Sequence, residues 1–352
     1  MSQKPQSKVA LVAGASGIVG SNLVKTLLQN EWQVIGLSRA GGAHRGTVPF
    51  VNVDLLNEKD TARAFKPLRH VTHIFYSAWL NAASWREMVE PNVTMLRNLV
   101  TQVENVAPLE TVSLMQGYKI YGAHLGPFKT PARESDAAIP GAEFNTAQQD
   151  WLCRFQHHKT WHWHALRPGV VGSALTGNTM NLALSIAIYA SLCKAQNLPL
   201  RFPGSQRTWH SIIDHTDDSL LSAATLWAST ASSARNQAFN INNGDIWRWC
   251  ELWPLIAGWF ELETAPPVAL SFQQLFGDYR RTWHALAEKK QLVEADIMRL
   301  SDGKFADFVF SWDYDMFGDG SKLRRAGFTE FCATDEMFIR LFTQFRMANI
   351  IP

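Results

Sequence analysis

Two phrases hold the residues that could do chemistry. "SLMQGYKIYGAHLGPF" (Ser113–Phe128) carries Lys119, and "GAEFNTAQQDWL" (Gly141–Leu152) carries no tyrosine. A tyrosine four residues before a lysine on one helix makes an acid: the lysine lowers the tyrosine pKa, and the phenol passes a proton to a carbonyl oxygen. The six tyrosines are Tyr76, Tyr118, Tyr121, Tyr189, Tyr279 and Tyr314, and none has a lysine four positions on. That counts against a standard ketoreductase and against a nucleotide-sugar epimerase.

A second constellation lies near the amino end. "VAGASGIVG" carries Gly14, Gly17 and Gly20 between a strand pattern and a helix pattern, the context a dinucleotide loop requires. The first glycine permits the turn, the second the approach of pyrophosphate, the third close helix–strand packing. The helix start offers N–H groups and a positive dipole end to phosphate. Ser16, Ile18 and Val19 complete the expected cradle. At the next strand end, where an acidic residue would hold a ribose 2′-hydroxyl, the sequence reads "GLSRAG", with Ser38 and Arg39. Arginine can hold a 2′-phosphate through two parallel bonds, so the expected cofactor is NADPH. Asp54 is expected at the adenine with Leu55 beside it. Ser77, Ala78 and Trp79 are expected to flank the cofactor, and Gln116, Pro168, Gly169, Val171 and Met180 to line its far end.

Positioning these residues takes alternating strands and helices. "KVALVAG", "WQVIGLSR", "VPFVNVDL", "THIFYSAW", "LETVSLMQG" and "WHWHALRPG" read as strands, with "NQAFNINNGDI" (Asn236–Ile246) as a late one. "SNLVKTLLQN", "WREMVEPNVTMLRNLVTQVENV" (Trp85–Val106) and "FNTAQQDWLCRFQHH" (Phe144–His158) read as helices. Near-continuously apolar strands alternating with helices mean a parallel sheet covered on both faces. The expected fold is α/β, a Rossmann-type doubly wound parallel sheet with a smaller, mainly helical C-terminal substrate lobe. Residues 1–172 form the dinucleotide-binding domain, 206–246 return to it, and 173–205 with 247–352 form the lobe, whose helical segments span Thr179–Leu198 and Trp247–Ile351.

Composition bounds the rest. The 352 residues carry a formal charge of +2 without basic runs, so neither nucleic acid nor an anionic membrane is an expected partner. Cys153, Cys193, Cys250 and Cys332 match no metal or redox spacing and read as thiols of a reducing compartment. "MSQKPQSK" is polar, so no secretory signal is expected. The apolar run Met180–Cys193 falls short of the roughly 20 residues that span a bilayer. A cytoplasmic protein is expected. The 14 tryptophans and 20 phenylalanines fit a heavily aromatic core or an aromatic pocket for an apolar ligand, and the lobe could also form a homodimer surface.

The chain resembles the progesterone 5β-reductase and iridoid synthase-like (PRISE) enzymes, an atypical branch of the extended short-chain dehydrogenases. "GASGIVG", the "SR" after the second strand, "HIFYSAW", "QGYKIYG…GPF", "LRPGVVG", "TMNL", "AFNINNGD" before a tryptophan-rich helix, and the terminal "NIIP" carry the resemblance over nearly the whole chain. It implies hydride transfer from NADPH to the β-carbon of an enone or enal, a small apolar carbonyl substrate. It gives Lys119 the role of stabilising the enolate oxygen together with a tyrosine in a phrase like "NFYYTLEDIL". It also implies Trp79, Leu125, Phe128, Met180 and Asn181 at the substrate pocket, with Tyr121 in a non-acid role.

Laid against that phrase, "EFNTAQQDWL" puts Thr146 where the catalytic tyrosine stands, and a two-residue insertion falls between Tyr121 and Gly126. A threonine hydroxyl is a poor acid, but it can donate one hydrogen bond to an oxyanion. Enolates are less basic than alkoxides, so conjugate reduction could run on Lys119 and Thr146 with later protonation by water. The leading expectation is therefore an NADPH-dependent reductase of activated C=C bonds. The rivals are a non-catalytic NADP(H)-binding sensor and a reductase of aldehydes or imines. Tyr118, if the strand continues, points away from Lys119. His157, His158, His162 and His164 cluster without a carboxylate or cysteine at ligand spacing, so no metal is expected. Asp214, Asp217 and Asp218 are expected to cap a helix beginning near Thr216.

Overall fold

The computed structural model describes residues 8–39, 48–136, 143–178 and 180–352. Residues 1–7, Gly141 and Thr179, on which parts of the reading above fall, lie outside them. One sheet holds seven parallel strands: β1 (Val9–Ala13), β2 (Gln33–Ser38), β3 (Phe50–Asn52), β4 (His73–Tyr76), β5 (Thr111–Met115), β6 (His162–Pro168) and Gln237–Ile241. Their spatial order is Gln237–Ile241, β6, β5, β4, β1, β2, β3. The order reverses between β1 and β4, with Ala13 beside Leu37 on one side and Tyr76 on the other. A crevice must open there, beyond the carboxyl ends of the strands.

Strand β1 shows why the sheet is two-faced. All five of its residues are buried. Val9, Leu11 and Ala13 pack with Leu96, Leu99 and Val103 of α3 (Trp85–Val106), while Ala10 and Val12 pack with Leu23, Val24 and Leu27 of α1 (Ile18–Gln29). The period of two sends alternate side chains into separate cores, each large side chain worth roughly 1.5–3 kcal/mol when fully buried. α4 (Phe144–Gln156) packs beside α3, and the helix Asp218–Thr230 packs beside α1.

The later, mainly helical part of the chain lines the crevice with Phe305, Phe308, Trp312 and Met316. Its helix Leu182–Ala195 is buried on nearly every side, which suits a helix apolar all round. Phe202 sits 5.3 Å from both Trp253 and Phe310, edge to face. Trp249, Trp253 and Trp283 are fully buried, so much of the aromatic excess is core. Among the described residues, no helix is long and apolar enough to cross a membrane.

Candidate active site

The glycine loop closes the crevice on its amino side. Gly14 has φ +82°, and a Cβ there would come within 2.8 Å of Ser77. A Cβ on Gly20 would lie 2.1 Å from the Gly14 oxygen. The turn is pinned by Gly17 N–H donating to Gly14 O (3.0 Å) and by Ser77 Oγ donating to Ala13 O (2.9 Å). Gly17 caps α1 without a side chain, and the first turn holds no acid. Among the described residues, no side chain caps its N–H groups. Ser16, Gly17, Ile18, Val19 and Gly20 all line the cleft, as do Ser38 at the end of β2 and Arg39 after it. Glycines that leave no room for a Cβ and a helix start without a side-chain cap together fit the pyrophosphate of a dinucleotide.

The cleft measures about 770 Å³, at the large end for a ligand site. Leu55, Ser77, Ala78, Trp79, Gln116, Pro168, Gly169, Val171 and Met180 also line it. Gln116 links three elements: its Nε2 donates to Asn145 O (2.9 Å), its Oε1 accepts from Arg167 Nε (3.0 Å), and its N–H donates to Leu166 O (2.8 Å). Asn92 of α3 fixes the Trp79–Leu80 wall, accepting from Leu80 N at 2.8 Å and donating to Leu80 O at 2.9 Å.

Lys119 stands on a 3₁₀ turn, Tyr118–Tyr121, that Gly122 ends at φ +82°; β5 has already stopped at Met115. Its Nζ lies 4.6 Å from the Trp85 ring centre and 5.8 Å from that of Trp79. Burial lowers the Lys119 pKa and the Glu143 charge opposes this. Glu143 is itself buried, which raises its pKa. It caps α4, accepting from Asn145 Nδ2 (2.7 Å) and Thr146 N (3.0 Å). Burial disfavours the ammonium, and the two indole rings and the nearby carboxylate offset part of that cost.

Several expected site residues stand elsewhere. Thr146 does not line the cleft; the first turn of α4 presents Asn145 and Gln148 there instead, and Thr146 Oγ1 is buried without a hydrogen-bond partner among the described residues. Asp54 is exposed and outside the walls; its Oδ1 accepts from Leu56 N (3.0 Å) to shape its own loop. Tyr121 is buried, its hydroxyl donating to Asn240 Oδ1 (2.7 Å) and accepting from Arg167 (2.8 Å). Leu125 is 58% exposed and Phe128 packs on the lobe core, neither in the cleft. Asn181 caps the helix Leu182–Ala195, accepting from Leu184 N (3.1 Å). Tyr118 does reach the cleft wall, because the strand ends and the turn rotates it. Its hydroxyl donates to Asp214 Oδ2 (2.7 Å). Asp217 caps Asp218–Thr230, but Asp214 does not. It is buried, also accepts from Gly318 N (2.9 Å), and is pushed up to about 7 by burial.

Glu143, Trp85, Asn145, Gln148 and His124 escaped sequence reading, as did the lobe's cleft wall of Phe305, Phe308, Trp312 and Met316. The two-residue insertion was the one signal for His124. Among the described residues, no group of His, Cys, Asp and Glu could hold a metal ion.

A doubly wound sheet, a glycine loop and a lysine at the cleft define an oxidoreductase of the short-chain dehydrogenase/reductase kind. A family model described as the PRISE-like Rossmann-fold domain matches residues 53–352, and the chain belongs to that family. It is 29% identical to the 3-oxo-Delta(4,5)-steroid 5-beta-reductase of Arabidopsis thaliana, over 98% of this chain and 93% of that one. It is 30% identical to an (S)-8-oxocitronellyl enol synthase of Antirrhinum majus, over the same shares. The crystal structure of the Bordetella bronchiseptica enzyme WbmG in complex with NAD shares the fold at TM-score 0.69 and 17% identity, covering 100% of this chain and 98% of that one.

Proposed function

We propose that this chain is an NADPH-dependent reductase of activated C=C bonds in small, apolar enones and enals. The observation that carries the reading is the Lys119 ammonium, held between Trp79 and Trp85 in the cleft that the glycine loop begins. The loop around Gly14, Gly17 and Gly20 and the start of α1 would hold the pyrophosphate. Arg39 would hold the 2′-phosphate, and Gln116, Pro168 and Val171 would border the nicotinamide. When bound, the reduced nicotinamide supplies a hydride. The chain's own part is to seat the substrate against Trp79, Phe305, Phe308 and Trp312 and to set Lys119 against the oxygen that gathers negative charge. Such preorganised stabilisation of a developing oxyanion is commonly the largest catalytic effect. The α-carbon then takes its proton from water. The four thiols, free and far apart, support a cytoplasmic setting, and a homodimer through the lobe is part of the same proposal.

The placement of Thr146 favours a second reading, a non-catalytic NADP(H)-binding sensor. NADPH consumption against cyclic enones, enals, aldehydes and imines, with product analysis, separates the two. Enone turnover with the C=C bond reduced is the expected result. Tight NADPH binding without consumption would favour the sensor, and reduction of only aldehydes or imines would move the chemistry to the C=O or C=N bond.

A further inference from the structure

We propose that His124 is a catalytic hydrogen-bond donor that acts with Lys119 on one substrate oxygen, in the place of the tyrosine missing from α4. The proposal rests on the reductase reading and names the second donor of that site. Lys119 and His124 lie against the same ring: Nζ is 4.6 Å from the Trp85 centre, and the His124 ring meets it edge-on at 4.3 Å. Both line the cleft, where Thr146 is absent.

The loop that carries His124 is preorganised. Leu125 N donates to Gly122 O (2.8 Å), and Tyr314 Oη of the lobe donates to Ala123 O (2.7 Å). The segment between Tyr121 and Gly126 thus delivers the His124 side chain to the cleft, while Leu125 beside it faces solvent. Of the two ring nitrogens, only Nδ1 is enclosed without a partner among the described residues. An orphaned buried donor is rarer than an orphaned acceptor, which puts the proton on Nε2. Burial first, then the Lys119 charge, lowers the His124 pKa to about 4. The ring is therefore neutral at neutral pH, a form that still polarises an oxygen through its N–H.

The step balances simply. A bound reduced nicotinamide would supply the hydride, one C–H bond breaking there as one forms at the β-carbon, and the C=C electron pair would move through to the oxygen to make the enolate. Lys119 and His124 donate hydrogen bonds to the enolate oxygen without giving up protons, and water protonates the α-carbon.

His124→Phe keeps a ring against Trp85 and removes the donor; His124→Gln keeps a donor. The first readout is binding of para-nitrophenolate, an enolate-like oxyanion, to the chain saturated with NADP⁺. His124→Phe should weaken it about tenfold or more while His124→Gln recovers part of the loss. The second is turnover, where His124→Phe should lower kcat by about 10²-fold with KM little changed. NADPH binding followed by fluorescence should be the same in all three proteins, which checks the fold. Equal phenolate binding and equal kcat in wild type and His124→Phe overturn the proposal, as does a wild-type chain that binds no phenolate. Phenolate binding that depends on His124, in a chain that consumes no NADPH with any acceptor, keeps the oxyanion site and removes the reductase reading instead.

Discussion

The Lys119 ammonium and the Trp85 indole are a matched pair, 4.6 Å from nitrogen to ring centre. Trp85 is the first residue of α3, set by the Ser84 cap that accepts from Glu87 N at 3.3 Å. The ring removes water from the ammonium and partly replaces it with its own negative face. A charge so held interacts strongly with an incoming oxygen, because little solvent remains to screen it.

Replacing Lys119 by methionine should therefore lower kcat by about 10²–10³-fold and leave NADPH binding intact. Activity that needs the ammonium falls as pH rises through the lysine pKa. Burial lowers that pKa below the usual 10.5, so the alkaline limb should lie below that value. Trp85→Ala readmits water and should move the limb upward. A pH–rate profile with the same alkaline limb in wild type and Trp85→Ala would remove Lys119 from the titrating role.

Thr146→Ala tests the opposite expectation. The hydroxyl stands outside the cleft and has no hydrogen-bond partner among the described residues. Turnover should change by less than about threefold, well under the 10²-fold typical of a lost oxyanion donor. A loss of that larger size, with unchanged thermal stability, would put Thr146 back at the substrate.

Arg39→Ser bears on cofactor choice. Arg39 lines the cleft directly after β2, where no carboxylate stands. Loss of charge-assisted bonds worth roughly 1.5–3 kcal/mol should weaken NADPH binding by about 10–10²-fold and leave NADH binding nearly unchanged. Titration of both cofactors checks this, and an equal loss for both would place Arg39 away from the 2′-phosphate.

Much of the scaffold could be read from the chain because its signals are local. The helix Trp85–Val106 has the bounds its apolar spacing predicts, and the glycine loop lies between the strand and helix its pattern requires. What escaped was direction. Whether the first turn of α4 turns Asn145 or Thr146 inward depends on the helix's rotation, and the Glu143 cap that sets its start holds no sequence pattern of its own. The expectation that Tyr118 points away from Lys119 required the strand to continue, and β5 stops at Met115. The 3₁₀ geometry instead brought Tyr118 to the wall and sent the Tyr121 hydroxyl to Asn240 and Arg167. The lobe residues of the cleft come from nearly 200 positions beyond Lys119, a separation that periodicity cannot bridge.

Asp214 carries the last prediction. Burial raises its carboxyl from 3.8 to about 7, although Gly318 N–H and the Tyr118 hydroxyl both donate to it. The folded protein therefore binds a proton that the unfolded chain releases between those two values. Stability from this group is fully present below about pH 4 and is lost as pH rises through about 7. Asp214→Asn mimics the protonated form at every pH and should escape that loss. Relative to wild type, the variant should gain roughly 2–4 kcal/mol between pH 4.5 and pH 8, the size a shift of this order implies. Urea midpoints of the two proteins at both pH values measure the difference. A gap that does not widen with pH would mean that the hydrogen bonds hold the Asp214 carboxylate charged in the folded protein and that its burial costs nothing.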